Sequence, residues 1–292
     1  MQPSIRELKP TEHMLGTMAA VAGSAFGVEY SQLQIERNWK LSHQDSTFFG
    51  AFVDEELVAF VGFLAHSGFG ARNGNLNGVK LFQACHVSTK EEFKGRGLFS
   101  KIVEHALRNL AGDFVIGFPN SIAEPIWLNR FKFKLTPLRR IWMNLSTPHL
   151  FFAFRKLEPA RKHKGLIGAN EREVAFWKNR ERAGEVISIE NSGNFIWGRI
   201  LEKQAGFLKV KYFGVGGVSV GDPMKLADAF LALREACDVH LAQIICTETS
   251  PLCSAARFSL HGRRTEPLIW FPLRGSDPDV EFDISIGIKD VF

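Results

Sequence analysis

The chain has 292 residues, of which 45% are hydrophobic and 23% are charged, an ordinary balance for a folded globular protein. Its apolar runs are short and interrupted, which predicts no membrane span, and residues 1–10 are polar rather than an apolar signal segment, so a cytoplasmic protein is expected. Much of the net charge of +5 lies at residues 155–164 without an aromatic platform or a helix–turn–helix pattern, so no nucleic-acid partner is predicted.

The N-terminal part of the sequence alternates strand and helix patterns. A strand is predicted over residues 4–8, followed by a helix that begins at Thr11 and ends at Phe26, with Gly27 as its cap. A second helix over 31–40 and a hairpin with strands at 47–53 and 57–66 come next. Residues 67–78 are rich in Gly and Asn, which predicts a loop.

The stretch from Val79 to Arg130 has the clearest chemical pattern. A strand over 79–89 is apolar on both sides, which is typical of burial between two layers. A loop with Lys94, Gly95, Arg96 and Gly97 follows, then a helix from Leu98, a strand from Phe114 and a further helix after Asn120. Two glycines beside a helix start let backbone N–H groups gather around one point, so a phosphate site is predicted; an ordinary tight turn is the alternative. The spacing fits neither a P-loop nor a dinucleotide fingerprint.

Two motifs in this stretch resemble the GCN5-related N-acetyltransferase (GNAT) superfamily. Its signature is Arg or Gln, two residues, Gly, one residue, then Gly or Ala, and Lys94, Gly97 and Phe99 occupy those places. Lys94 keeps the charge, whereas Phe99 departs from the small residue. Phe118-Pro119-Asn120 and Phe131-Lys132-Phe133 are similar to a second family region, with Lys132 where Gly is usual. The resemblance covers residues 1–145.

The second half of the sequence repeats a similar order of elements. Strands are predicted at 186–189, 196–200 and 207–213, then a loop at 214–217, a helix at 222–237, a strand at 240–245, a short helix at 251–258, and strands at 266–273 and 280–286. We therefore predict an α/β protein with mixed sheets and two GNAT-like lobes. The predicted divisions are an acyl-CoA-binding domain at 1–147, a linker at 148–168 and a second lobe at 169–292 without a phosphate loop.

The resemblance implies acetyl-CoA or another acyl-CoA as cosubstrate, and it implies where that molecule binds. The implied cofactor-binding residues are Val87 and Thr89 along the pantetheine arm, Lys94, Gly95, Arg96, Gly97, Leu98 and Phe99 at the pyrophosphate, and Asn120 at a pantetheine amide. His86 is the candidate catalytic base because an imidazole pKa near 6.5 suits removal of an ammonium proton; a hydrogen-bonded core histidine is the alternative. Gln83 cannot act as a base, and the Tyr that the family often uses as an acid is absent.

The expected acceptor is a small-molecule amine. The two-lobed form resembles acyltransferases of bacterial surface-polysaccharide pathways, which implies an amino sugar linked to a nucleotide such as dTDP or UDP. Trp39 and Trp127 are candidates for stacking on the substrate, with core packing as the alternative for both. Two other functions stay open: a non-catalytic module that binds CoA or a partner, and an aminoacyl-tRNA-dependent transferase of related shape. The oligomeric state is open as well.

The four cysteines are Cys85, Cys237, Cys246 and Cys253, and they show no CxxC spacing. Three of them lie in segments that are predicted to be buried. We therefore interpret them as structural thiols rather than as metal ligands or redox centres, and we predict no metal site.

Overall fold

The computed structural model describes residues 3–9, 11–33, 35–36, 46–71, 79–154, 166–168, 186–220, 222–248, 250, 252–253, 260–261, 267–273 and 281–283. Half of the predicted helix at 31–40, most of the predicted helix at 251–258, and both ends of the predicted strand at 280–286 lie outside the described residues; 32–33 and 35–36 are helical as predicted.

Two mixed sheets and four α-helices make up the described fold. The strands are β1 (Ser4–Leu8), β2 (Thr47–Val53), β3 (Glu56–Ala71), β4 (Val79–Thr89), β5 (Phe114–Gly117), β6 (Lys134–Thr136), β7 (Leu138–Asn144), β8 (Leu166–Gly168), β9 (Ile187–Asn191), β10 (Asn194–Ala205), β11 (Leu208–Ser219), β12 (Leu241–Thr247), β13 (Leu260–His261), β14 (Leu268–Pro272) and β15 (Glu281–Asp283). The helices are α1 (Glu12–Phe26), α2 (Leu98–Asn109), α3 (Thr147–Phe154) and α4 (Leu226–Cys237). The predicted α/β class with mixed sheets is confirmed.

The first sheet has the strand order β1-β2-β3-β4-β5-β14-β6, and helices cover both of its faces. On one face, the α2 residues Ile102, Val103 and Ala106 pack against Phe82 and Val115. On the opposite face, α1 packs against β2, β3 and β4. The ends of α1 are as predicted: the Thr11 hydroxyl accepts from the Met14 N–H at 3.3 Å, and Gly27 adopts a φ of 65°.

The second sheet has the order β13-β7-β12-β11-β10-β9, and α3 and α4 cover one of its faces. Its core includes Ile141, Phe213 and Phe230, and the rings of Phe154 and Phe230 stack at 5.3 Å. The other face meets the first sheet, because Leu138 and Ile245 share a third apolar core with Leu81, Phe114 and Trp270. The sheets are therefore joined by buried apolar surface rather than by a connecting segment alone.

The two halves of the chain exchange strands. β14, from the C-terminal half, lies between β5 and β6 in the first sheet. β7, from the N-terminal half, lies between β12 and β13 in the second sheet. The predicted boundary at residue 147 therefore does not separate the sheets, since hydrogen bonding places each of these strands with the other half.

The predicted linker at 148–168 is also corrected in its described parts. Leu150, Ala153 and Phe154 of α3 are buried in the core of the second sheet. Residues 166–168 form β8, which pairs with β15 and with the end of β3. The predicted loop at 67–78 begins later than expected, because β3 continues to Ala71. The strand predicted at 280–286 pairs with β8 and does not finish the second sheet.

A glycine-rich segment predicted as a loop is part of β11. Gly214, Gly216 and Gly217 lie inside the strand, and a Cβ atom on Gly216 would lie 2.3 Å from the indole ring of Trp197. These glycines make room for the Trp197 and Leu201 side chains on β10. Glycine here reflects close packing on a strand rather than a turn.

Candidate functional site

Strands β4 and β5 diverge after a short parallel pairing. The register runs from Leu81 opposite Phe114 to Gln83 opposite Ile116, whereas β4 continues to Thr89. From Ala84 onward, β4 pairs only with β3 among the described residues. The edge of β4 that faces β5 therefore has backbone groups available to an extended ligand, and such a ligand would add as a strand does.

The loop after β4 presents free backbone donors. Gly95 and Gly97 have φ values of 76° and 72°, and a Cβ atom on either would meet nothing within 4 Å. In the described part of the chain, no amide N–H from Gly95 to Ser100 has an acceptor outside α2, and a helix leaves its first N–H groups unpaired. These donors sit at the positive end of the α2 dipole, so the loop fits a phosphate.

The two cations of the loop make internal contacts. The Lys94 ammonium pairs with Glu91 and donates to the Ala25 carbonyl at 3.3 Å. The Arg96 guanidinium lies 4.8 Å from the Phe93 ring centre and donates to the Glu92 carbonyl at 3.0 Å. The Lys94 and Glu91 side chains are 47% and 71% exposed, and an exposed ion pair contributes about 0–1 kcal/mol. Such contacts are weak enough to exchange for a phosphate.

A cleft of about 460 Å³ joins this loop to the open end of β4. Seven of the predicted cofactor-binding residues line it: Val87, Thr89, Lys94, Gly95, Gly97, Leu98 and Phe99. Arg96 is not among its lining residues. Sequence reasoning missed Ala25, Phe26 and Ile126 on the cleft wall. The one available signal was Phe26, an apolar residue directly before the helix-ending Gly27, which the structure leaves 53% exposed.

His86 lies in a β-bulge beside the cleft. Cys85 pairs with Gly62 and Ser88 pairs with Phe60, so His86 and Val87 together lie opposite Val61. His86 has a φ of 48°, which costs a non-glycine residue about 1–2 kcal/mol. Its Nδ1 atom lies 3.0 Å from the Tyr30 hydroxyl, and its ring lies 6.0 Å from that of Phe48. The imidazole therefore points toward the α1 side, whereas Val87 faces the cleft.

Trp127 has a structural position, which corrects the predicted stacking role. Its side chain is 3% exposed, and its ring contacts Phe99 at 5.3 Å and Phe133 at 4.7 Å. A ring enclosed in this way offers no face to a substrate. Phe99, the departure from the family signature, also packs on Phe131 at 5.8 Å. Trp39, the other predicted stacking residue, lies outside the described residues.

Asn120 uses its side chain locally. Its Oδ1 atom accepts from the backbone N–H groups of Ile122 at 3.2 Å and Ala123 at 2.9 Å. This Asx turn opens a segment that becomes π-helical at Ile126–Arg130 rather than the regular helix that was predicted. Asn120 is not among the residues that line the cleft, so contact with a pantetheine amide stays a prediction.

Among the residues that the structure describes, no helix is both long enough and apolar enough to cross a membrane. No three His, Cys, Asp or Glu side chains within these ranges are grouped as metal ligands would be.

The comparisons with known proteins agree with this geometry. Residues 4–134 match the family model described as Acetyltransferase (GNAT) domain. No curated protein sequence matches the chain.

Several solved structures share the fold across nearly the whole chain. A GCN5-related N-acetyltransferase from Anabaena variabilis has a TM-score of 0.65 at 9% identity over 92% of this chain and 73% of that chain. One from Kribbella flavida has a TM-score of 0.58 at 14% identity over 92% and 72%. A protein of unknown function from Enterococcus faecalis, described as a probable N-acyltransferase, has a TM-score of 0.57 at 14% identity over 92% and 73%.

Matches at identities this low show a shared fold. The family model matches residues 4–134, which include all the residues that line the cleft. The predicted enzyme class, an acyl-CoA-dependent N-acyltransferase, is consistent with both findings. Residues 4–134 match the model of the GNAT acetyltransferase domain, and the chain shares its two-sheet fold with GCN5-related N-acetyltransferases.

Proposed function

We propose that the protein transfers an acyl group from acyl-CoA to a primary amine. The observation that carries this proposal is the run of free amides from Gly95 to Ser100, next to a cleft that continues along the open edge of β4. The free amides can bind a diphosphate, and the open strand edge can pair with an extended arm that carries amide groups.

The residues of the loop and strand would share the binding of acyl-CoA. Backbone N–H groups of Gly95 and Gly97 would donate to the pyrophosphate, and Lys94 would add its charge after leaving Glu91. Val87 and Thr89 lie on the stretch of β4 that would pair with the pantetheine arm. Bound acyl-CoA supplies the thioester that reacts. The protein has to hold the amine and remove its proton.

His86 is the proposed base for that proton. In the overall reaction, the amine nitrogen bonds to the acyl carbon, the carbon–sulfur bond breaks, the amine loses a proton and the thiolate gains one. The support is positional: a strained, half-buried histidine lies next to Val87 of the cleft and contacts Tyr30 at Nδ1, which would orient its ring. Strained backbone of this kind is concentrated at functional sites.

For the acceptor, we propose the amine of an amino sugar that is linked to a nucleotide. The resemblance to two-lobed acyltransferases supports this choice. The acceptor would then need a second surface, because the acyl-CoA cleft lies within the first sheet and its helices.

Acetyl-CoA binding to the loop can be tested by thermal unfolding. At a hundredfold excess over Kd, a ligand stabilises the folded state by about 2.7 kcal/mol, so the melting temperature should rise. Gly97→Trp should remove the rise by filling the space above the loop amides. Gly193→Trp is the matched control, since Gly193 also has a positive φ (76°) and open space but lies in the β9–β10 turn. An unchanged melting temperature for the wild type would defeat the proposal.

Turnover needs a separate measurement. Release of the CoA thiol in the presence of an amino-sugar nucleotide, followed with a thiol reagent, should depend on both substrates. Binding without thiol release from any amine of a broad acceptor panel would instead support the non-catalytic module.

A further inference from the structure

The face of the second sheet that meets the first sheet carries an unusual set of side chains. Because side chains alternate along a strand, residues in phase with Leu138 and Ile245 share this face. It includes Arg140 and Trp142 on β7, Gln243 on β12, Tyr212 and Gly214 on β11, and Trp197 and Arg199 on β10. We call this set the inter-sheet face.

The register aligns part of the inter-sheet face into a row. Trp142 pairs with Gln243, Gln243 with Gly214, and Gly214 with Arg199. At about 4.8 Å between strands, the ends of the row are about 14 Å apart, within the reach of two long side chains that lean inward. Gly214 has no side chain, and the Leu201 side chain of β10 fills the space above it.

The inter-sheet face is basic and aromatic. The rings of Trp142 and Tyr212 meet edge to face, with 4.8 Å between their centres. Burial raises the pKa of the Tyr212 hydroxyl, and the charges of Arg140 and Arg199 oppose that shift, so both cations act on the same group. Among the described residues of β7, β10, β11 and β12, the positions on this face include no Asp or Glu.

Two members of this set, Arg140 and Arg199, have a buried Nε atom without a hydrogen-bond partner, and Arg199 makes another contact. Arg140 is the clearer case. Its side chain is half-buried, and its Nε atom is buried without a hydrogen-bond partner. Leaving a buried charged donor unpaired costs about 1–3 kcal/mol or more. Its neighbour Arg139 points to the other face and pairs with Glu248, with 2.5 Å between Nε and Oε1. Two adjacent arginines thus differ in that one already has its anion.

We propose that the inter-sheet face binds the acidic part of the acceptor, with Arg140 as its principal contact. A phosphate or diphosphate oxygen would take the Nε–H and one terminal N–H of Arg140 together, the side-on fork that arginine offers to planar or multidentate anions. The Trp142–Tyr212 pair supplies an aromatic edge beside that anion, which suits a nucleotide.

This inference rests on the proposed acyltransferase function. It adds to that function the place where the acceptor is bound. The inter-sheet face adjoins β4 at the shared core of Leu138, Ile245 and Leu81, and the other end of β4 lines the acyl-CoA cleft. A neutral amine would lack the contact with Arg140. Acceptor selectivity would then be set by the second half of the chain and acyl-CoA binding by the first.

The test uses inorganic pyrophosphate as the probe, titrated calorimetrically into the full-length chain saturated with desulfo-CoA, so that the loop amides are already occupied. The wild type should bind pyrophosphate at one saturable site. Arg140→Gln should weaken that binding by about tenfold or more, as expected for a charge-assisted pair. Arg139→Gln should leave it within about twofold, because its partner Glu248 is on the other face.

Two further variants keep the result interpretable. Arg140→Lys retains the charge but not the side-on fork, so it should also weaken binding, and it serves if Arg140→Gln does not fold. Gly97→Trp without desulfo-CoA reports on the inter-sheet face even if the loop binds no CoA. Two results would overturn the inference: no saturable pyrophosphate binding to the wild type with desulfo-CoA or to Gly97→Trp without it, or an equal loss of pyrophosphate affinity in the Arg139 and Arg140 variants. Either result would leave the acyl-CoA proposal standing. Failure of desulfo-CoA to bind would instead count against that proposal.

Discussion

The protein contains a strand–helix–strand unit twice, and the two copies differ at the start of the helix and at the bulge of the first strand. In β4–α2–β5 and in β11–α4–β12, two parallel strands pair over a short register and then separate. In each unit the first strand has a bulge near its C-terminal end, at His86–Val87 in β4 and at Gly216 in β11. The backbone plan is duplicated, as the repeated order of elements in the sequence predicts.

The first difference lies at the start of each helix. Before α2, Gly95 and Gly97 leave the amides open. Before α4, the Asp222 carboxylate accepts from the Met224 N–H at 3.0 Å, and its backbone is held by Asn194 at 3.1 Å and 2.8 Å. A protein carboxylate thus occupies one backbone donor in the 3₁₀ turn Pro223–Lys225, which leads into α4. Duplication of the fold therefore does not imply duplication of the binding site. The Asp222 carboxylate, which we call the acidic cap, pairs with a backbone N–H and would repel a phosphate at the same point.

Separating the two units should have the largest effect. A fragment of residues 1–147 would lose β14 from beside β5 and would leave β7 without β12. It would also expose the apolar core that Leu81 and Phe114 share with Ile245. We expect this fragment to lack cooperative unfolding and any acetyl-CoA-dependent stabilisation, measured by circular dichroism on heating. A cooperative melt with the CoA response of the full chain would show that the exchanged strands are dispensable.

The two bulges give the next prediction, because one carries an imidazole and the other a glycine. If His86 is the base, His86→Ala should lower kcat by about a hundredfold or more and remove one ionisation from the pH–rate profile. His105→Ala is the control, because His105 lies on α2 against Phe49 with 5.4 Å between rings. Retained activity with an unchanged pH profile would remove His86 from the mechanism.

The acidic cap gives a smaller effect. Asp222→Ala removes the acceptor of the Met224 N–H and should lower the free energy of unfolding by about 1 kcal/mol, measured by urea denaturation. Calorimetric stoichiometry should stay at one acetyl-CoA per chain, because the described residues directly before α4 include no pair of positive-φ glycines like Gly95 and Gly97. A second bound molecule in Asp222→Ala would mean that the cap alone separates the two units.

The sequence predicted the first unit well because its pattern is local. Alternating apolar residues define β4, glycines fix the loop, and helical spacing defines α2. It could not predict the strand exchange, because β7 and β14 have the same apolar pattern whichever sheet they join. Trp127 and the glycines of β11 show the same limit: whether a ring is enclosed, or a glycine turns or packs, depends on residues distant in the chain.

Thiol reactivity gives the smallest effect, within the second unit. A hydrogen bond with Cys246, together with the charge of Arg139, lowers the pKa of Cys253 more than burial and Glu248 raise it. Burial raises the pKa of Cys237, against a weaker opposing effect of Lys211. Alkylation proceeds through the thiolate, so its rate increases as the thiol loses its proton. A cysteine with a lowered pKa therefore reaches its full rate at a lower pH, and a cysteine with a raised pKa reaches it at a higher pH.

With iodoacetamide between pH 6.5 and 9, followed by mass spectrometry of the cysteine peptides, Cys253 should react first, and its rate should level off at a lower pH than that of a free thiol. Cys237 is 5% exposed and should react more slowly than Cys253. Cys246→Ala should slow Cys253 at pH 7 by removing the hydrogen bond that favours its thiolate. Equal rates for Cys237 and Cys253, or no effect of Cys246→Ala, would mean that the hydrogen bond does not form in solution. The second unit would then contain no thiol whose pKa is lowered by this hydrogen bond. The cysteine of the first unit, Cys85, is buried in β4.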